Sequence, residues 1–308
     1  MEEFRQKHFN KGLIDVIIYH HPCQDGQASS WVVKNYLDSI NKKYELIGVQ
    51  HYDYEKQSFV NMLYERVKDK YVVVVDFSFS YDITINIKKL AKGIVILDHH
   101  ITNKEKLETL DYAYFDMNFA GVGLSWKYIH GEKEMPLFIQ MIQDRDLWKW
   151  EIPLSKDFCE GVFNYLYITA NNDEAYKIYD EIYADGKLDK YIEYGKIVRI
   201  KKEKTINKIV RNSKKVYRYT YKGKTYRVKL ANCEKDIASD LGNALCENDG
   251  CDFSVCWRYD HGLEEYWMNL RSRNDTDVAE ISKRFNGGGH KKAAACAMKQ
   301  HPSIVFGK

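Results

Sequence analysis

Three short stretches of the chain are apolar at almost every position: residues 13–19, Tyr71–Val75 and residues 93–97. Strands that alternate apolar and polar residues keep one face in water, whereas a near-continuous run such as Val72-Val73-Val74-Val75 needs cover on both faces, as in a parallel sheet between helices. Glu45–Val49 reads as a further strand. Between these runs the apolar spacing changes to that of helices. Residues 27–40 place Ala28, Trp31, Val32, Tyr36 and Leu37 on one face, and residues 59–67, 85–90, 124–129 and 137–142 continue the pattern. Alternating strand and helix predicts an α/β fold with a doubly wound parallel sheet.

The second half changes character. Lys and Arg crowd residues 187–224 while Ile197, Ile200, Ile206, Ile209 and Val210 keep a helical rhythm, which predicts a long helix ending near Asn212. Its charges read as a solvated face, with contact to nucleic acid as the alternative. A hairpin follows, residues 215–221 and 225–231 around Gly223, then a helix over 237–246, strands over 253–259 and 266–271, and a last helix opening at Gly287-Gly288-Gly289. The expected layout is a parallel α/β domain over 1–185, a helical linker over 186–213 and a smaller α+β domain over 214–308.

The ends of the strands carry the chemistry. The first runs into His20-His21-Pro22-Cys23-Gln24-Asp25-Gly26, the third into Asp76 and the fourth into Asp98-His99-His100. In an open parallel sheet, ligands bind beyond the carboxyl ends of the strands. A lone Asp there is ordinarily a turn or cap residue. Three neighbouring strands that all end in ligand types argue for a metal site instead, with His20, Cys23, Asp25, Asp76, Asp98 and His99 enough for two ions of Mn²⁺, Mg²⁺ or Zn²⁺. Asp144 is a further candidate in the stretch Met141-Ile142-Gln143-Asp144-Arg145-Asp146-Leu147-Trp148. Trp148 and Trp150 beside it are either core or a support for a base. Near the C-terminus, amides of Gly287, Gly288 and Gly289 at a helix start, with His290 and Lys291, suit a phosphate, and Arg271-Ser272-Arg273 could grip it, Arg271 bidentately.

On these residues the chain resembles the DHH phosphoesterase family, named for the tripeptide found here at 98–100. His20 to Gly26, Asp76, Asp98 to His100 and Asp144 follow the order of that family's four motifs, and Arg284 to Ala295 is similar to the Gly-Gly-Gly-His motif of its companion domain, called DHHA1. Together the motifs span residues 13–298. One position departs: Cys23 stands where the family usually has a second Asp, a softer ligand that favours Zn²⁺ if it binds metal at all. The resemblance implies a DHH domain joined by the helical linker to a DHHA1 domain, and two divalent ions, Mn²⁺ first, that activate water. Asp76 would bridge them, with His20 and Cys23 on one ion and Asp25, His99 and Asp144 on the other. His100 would touch the phosphate or protonate the leaving oxygen, and Asp98 would orient a neighbour. Arg271, Ser272, Gly287, Gly288, Gly289 and His290 would hold substrate. The family includes nanoRNases and cyclic-dinucleotide phosphodiesterases, so short single-stranded oligonucleotides and linear or cyclic dinucleotides are the expected substrates. A binding or sensor protein with a decayed metal site is the alternative, and a homodimer is among the expected assemblies.

Composition narrows this reading. At 308 residues there is room for two ordinary cores. A formal net charge of +3 is too small for a protein that coats DNA, so contact with nucleic acid should be local. Seven cysteines without paired spacing and an N-terminus lacking an apolar segment lead to the expectation of a reducing, cytoplasmic setting, and no run is long enough for a membrane helix.

Overall fold

The computed structural model describes residues 1–8, 10–50, 53–169, 172–247 and 250–307. The chain divides into two compact units, Met1–Arg199 and Ile200–Lys308. In the first, helix α1 (Glu2–Lys7) precedes β1 (Val16–His20), α2 (Gln24–Ser39), β2 (Glu45–Val49), α3 (Gln57–Val67), β3 (Tyr71–Val75), α4 (Tyr81–Leu90), β4 (Gly93–Asp98), α5 (Ile101–Leu107), β5 (Ala113–Phe115) and α6 (Gly121–His130). Then come α7 (Leu137–Asp146), α8 (Ser155–Thr169), α9 (Asn172–Asp185) and the 24-residue α10 (Asp189–Asn212), within which the division between the units falls.

The five strands lie in the order β2-β1-β3-β4-β5, all parallel. Both faces are buried, and the two-residue period of a strand sorts its side chains between them. Ile17, Tyr19, Val73, Val75, Val95 and Leu97 join the core built with Trp31, Leu124 and Ile139 of α2, α6 and α7. Val16, Ile18, Val72, Val74, Ile94 and Ile96 join the opposite one with Leu63 and Ile87 of α3 and α4. Burying each such side chain contributes about 1.5–3 kcal/mol. Polar groups are therefore displaced to the ends of the strands. The chain leaves β1 toward β2 on one side and returns to β3 on the other, so the crevice expected at a reversal of strand order lies between the carboxyl ends of β1 and β3.

The second unit holds β6 (Tyr217–Tyr221), β7 (Lys224–Asn232), α11 (Ala238–Leu245), β8 (Phe253–Asp260), β9 (Glu265–Arg271), α12 (Val278–Lys283), β10 (Gly288–His290), β11 (Ala293–Met298) and α13 (Pro302–Phe306). Its six strands run β10-β11-β9-β8-β7-β6, antiparallel except for β7 beside β8. Lys222 and Gly223, with φ of 47° and 76°, make the two-residue turn between β6 and β7.

Two expectations change here. The Gly-rich segment does not open a helix. Gly288 and Gly289 pair with Ala295 and Ala294 in a hairpin, and α12 precedes it. A Cβ at position 287 would lie 2.2 Å from the Ala295 carbonyl oxygen, and one at 289 would lie 2.5 Å from that of Ala293. Close strand approach accounts for these glycines. The pattern also did not lead to β5, α8 and α9: β5 is three residues long, and the helices build their buried stripes, Phe158, Cys159 and Val162 in one and Tyr176, Tyr179 and Ile182 in the other, mostly from aromatic and sulfur side chains.

Candidate metal centre

Each strand end contributes at a defined place. β1 stops at His20, and Cys23, in extended backbone, is the N-cap of α2. Asp25, in the first turn of α2, is buried and accepts the backbone N–H groups of Gly121 (2.6 Å) and Val122 (2.8 Å). These open α6, so a carboxylate meets the partial positive charge of a helix N-terminus. The approach requires glycine at 121: a Cβ there would lie 2.4 Å from Asp76 Cβ and 2.9 Å from Asp25 Oδ2.

Asp76 follows β3 with a left-handed φ of 53°. Its carboxylate lies 3.5 Å from His20 Nδ1, 3.2 Å from His99 Nε2 and 4.0 Å from His100 Nδ1. Asp98, the last residue of β4, accepts N–H from His99 (2.8 Å) and His100 (3.2 Å) and meets His100 Nδ1 at 2.7 Å. With Nδ1–H donating to Asp98, the orientation of the His100 ring is fixed.

Among the described residues of the first unit, the donors form three groups whose ligand atoms lie within 4.8 Å of one another: His20, Cys23 and Asp76; Asp25, Asp76 and His99; Asp76, Asp98 and His100. Asp76 belongs to all three. The buried Oδ2 atoms of Asp76 and Asp98 make no hydrogen bond among the described residues, although such burial is costly without a partner. Buried carboxylate oxygens short of donors, beside imidazoles and a thiol, fit a divalent cation.

Charge supports this. Around His99 Nε2 stand Asp76 at 3.2 Å, Asp146 at 3.4 Å and Asp25 at 3.6 Å. Burial and the nearby charges of Asp76 and Asp146 hold the Asp25 carboxyl well above its ordinary range. Burial pushes Asp76 the same way, but His20, His99 and His100 outweigh it and keep Asp76 ionised, as His100 does for Asp98. Burial works against a charge on His99 and His100; Asp76 and Asp146 for the first, and Asp98 for the second, raise each to about 9. Burial, then Asp76 and Asp146, push the Cys23 thiol up.

His20, Cys23, Asp25, Asp76, Asp98, His99 and His100 thus come together as expected. Asp144 does not. Its carboxylate accepts the N–H groups of Glu151 (2.8 Å) and Ile152 (3.3 Å) and the Ser155 hydroxyl (2.6 Å), which latches the loop after α7. Residues two apart on a helix point to nearly opposite sides, and Asp146 is the one that faces His99. The second carboxylate of Asp144-Arg145-Asp146 was the overlooked signal.

In the second unit, the Arg271 guanidinium donates to Ser239 Oγ (2.6 Å) and to the Leu270 carbonyl (2.9 Å). Ser272 is buried and donates to Asn274 Oδ1 at 3.0 Å, closing its own turn. Gly287 leads into the hairpin of Gly288, Gly289 and His290, the last in register with Ala293.

This architecture, a five-stranded parallel sheet with an Asp- and His-loaded carboxyl rim followed by a unit built on a second sheet, is the DHH-type fold. It is shared with exonuclease RecJ bound to manganese, at a TM-score of 0.57 and 12% identity over 99% of this chain and 90% of that one. An exopolyphosphatase-related protein from Bacteroides fragilis scores 0.54 at 16% identity, covering 99% and 91%. CDC45 from Entamoeba histolytica also scores 0.54, at 8% identity, covering 99% and 96%. The chain belongs to the same family as the uncharacterized protein R106 of Acanthamoeba polyphaga mimivirus, being 30% identical to it over 302 residues, 94% of this chain and 68% of that protein. No protein-family model matches the sequence.

Proposed function

We propose that this protein is a divalent-cation-dependent phosphodiesterase that cuts short oligonucleotides or linear or cyclic dinucleotides. The observation that carries the reading is Asp76, whose buried carboxylate is shared by all three donor groups of the first unit, with His20 and His99 beside it. When bound, two such cations supply a hydroxide-like nucleophile and neutralise the phosphoryl oxygens. Asp76 would lie between them, with His20 and Cys23 on one side and Asp25, His99 and Asp146 on the other. His100, its ring fixed by Asp98 at 2.7 Å, would hydrogen-bond a non-bridging oxygen or give a proton to the leaving oxygen. Manganese is the first metal to try, since RecJ binds it on this fold. On the second unit taken by itself, Arg271, whose described contacts are neutral oxygens, remains the candidate for holding a phosphate, through its guanidinium rather than through a glycine cradle.

Cys23 supports a second reading, a nucleotide-binding protein whose metal site has decayed. Incubation with Mn²⁺ and a panel of a diribonucleotide, a pentaribonucleotide, cyclic dinucleotides and phosphoadenosine phosphate, with products identified by mass, separates the two. Cleavage supports the enzyme. Absence of cleavage, together with no retained Mn or Zn after reconstitution, supports the binding protein.

A further inference from the structure

We propose that Trp148 and Trp150 form a base-stacking wall beside the carboxylate cluster, which recognises the nucleobase attached to the phosphate being cut. This rests on the phosphodiesterase reading above and adds to it the part of the substrate that this rim selects.

Helix α7 ends at Asp146, whose carboxylate is 3.4 Å from His99 Nε2. Two residues on is Trp148, so the two Cα atoms are at most about 7 Å apart. Within the next few residues, three that are not glycine occupy the left-handed region: Trp148 at 56°, Trp150 at 57° and Leu154 at 65°. For bulky side chains this backbone is an outlier that costs on the order of 1–3 kcal/mol per residue, and it persists only where the surroundings impose it. The imposing group is Asp144, whose side chain takes the N–H of Glu151 and Ile152 and the hydroxyl of Ser155, while its carbonyl takes the N–H of Lys149 at 2.9 Å. A buried carboxylate is thus spent on holding two indoles in a strained turn.

The indoles do not serve as core. Trp31 and Trp126 of the same unit are at most 1% exposed, whereas Trp148 and Trp150 are only half-buried. Their rings meet edge to face, with centroids 5.0 Å apart and planes at 71°. Lys156 Nζ lies 5.5 Å over the Trp150 ring, and Lys149 between the two indoles is exposed. Aromatic planes interleaved with ammonium groups, next to a cluster suited to phosphoryl chemistry, match the parts of a nucleotide. An inorganic polyphosphate would leave the rings without a partner.

The test is calorimetric affinity, in Mn²⁺, for a diribonucleotide with an uncleavable methylenephosphonate link and for its abasic counterpart. Trp148→Leu and Trp150→Leu should each weaken binding of the base-bearing compound about tenfold, the size of one lost stacking contact, and leave the abasic one unchanged. Trp150→Phe, which keeps an aromatic face, should stay within about threefold of wild type. Asp144→Asn, a positioning change, should weaken the base-bearing compound alone while bound Mn stays constant. Equal losses on both compounds, no loss on either, or no binding of the base-bearing compound by the wild type would each overturn the wall. If the wild type binds it but cleaves nothing in the substrate panel, the phosphodiesterase reading fails and the wall stands.

Discussion

The carboxyl rim of the five-stranded sheet and the glycine hairpin of the six-stranded sheet are both marked by short motifs, yet the two motifs mean different things. At the rim, a strand end fixes the direction of each side chain, and a buried carboxylate has few reasons to be where it is. Asp25, Asp76 and Asp98 are each at most 1% exposed, and two of them hold an oxygen with no hydrogen bond among the described residues. In the hairpin, the absent side chain serves packing: β10 lies so close to β11 that a Cβ on Gly287 or Gly289 would strike a carbonyl. A buried charge states its purpose. A missing side chain leaves its purpose open until the neighbours are seen.

The largest effect that tests this contrast comes from Asp76→Ala. It removes the donor common to all three groups and should lower turnover at least a thousandfold, equivalent to about 4 kcal/mol of transition-state stabilisation. Circular dichroism should be unchanged. Turnover within about tenfold of wild type would break the reading of the rim as a metal centre.

Next come the two carboxylates two residues apart. Asp146→Asn should cost about 10²-fold in turnover with a loss of bound Mn, measured by elemental analysis. Asp144→Asn should keep the Mn and lower the melting temperature instead, because it weakens a latch of three hydrogen bonds worth about 1 kcal/mol each. If Asp144→Asn loses the metal and Asp146→Asn keeps it, the assignment is reversed.

The hairpin side is tested by Gly287→Ala. Overpacking against Ala295 and Cys296 should destabilise the second unit by about 1–3 kcal/mol, seen as a lower denaturant midpoint. Weaker substrate binding at unaltered stability would restore the phosphate cradle.

The smallest effect concerns pH. In metal-free protein, His99 and His100 are raised from an ordinary 6.5 to about 9. Their contribution to stability is complete below about 6.5 and is lost as pH rises through about 9. Asp25, raised by burial and by Asp76 and Asp146, acts in the same direction. Asp76 and Asp98, lowered, contribute above the ordinary carboxylate range and lose that contribution in acid. The melting temperature of metal-free protein should therefore fall between pH 7 and 10, and Mn²⁺ should flatten the fall by replacing the protons. A flat profile without metal would show that these groups are not shifted.

Much of this was legible in the chain because a parallel sheet leaves a strong trace. The short, wholly β-branched run Val72 to Val75 favours a doubly covered strand, and the polar residue that ends such a run falls at the strand's carboxyl end. What was not legible depended on rotation and on context. Choosing Asp146 over Asp144 requires knowing which side of α7 faces the rim, and the turn that Asp144 latches has no pattern of its own. α8 and α9 were passed over because their stripes, Phe158, Cys159 and Val162 in one and Tyr176, Tyr179 and Ile182 in the other, are built mostly of aromatic and sulfur side chains among polar residues rather than of Leu, Ile and Val.

Asp76 has one further consequence, for how this protein would drift under selection. A left-handed backbone at a residue that is not glycine opposes the fold, but the charge that sits on it does not: against burial, His20, His99 and His100 hold the Asp76 carboxylate ionised, and that contributes stability. Asparagine accepts the same backbone and forfeits the charge that faces three imidazoles. A library sorted only for heat resistance should therefore retain Asp76 below about pH 9, where His99 and His100 are charged, and release the position to asparagine only above it, while one sorted for hydrolysis should retain the aspartate at either pH.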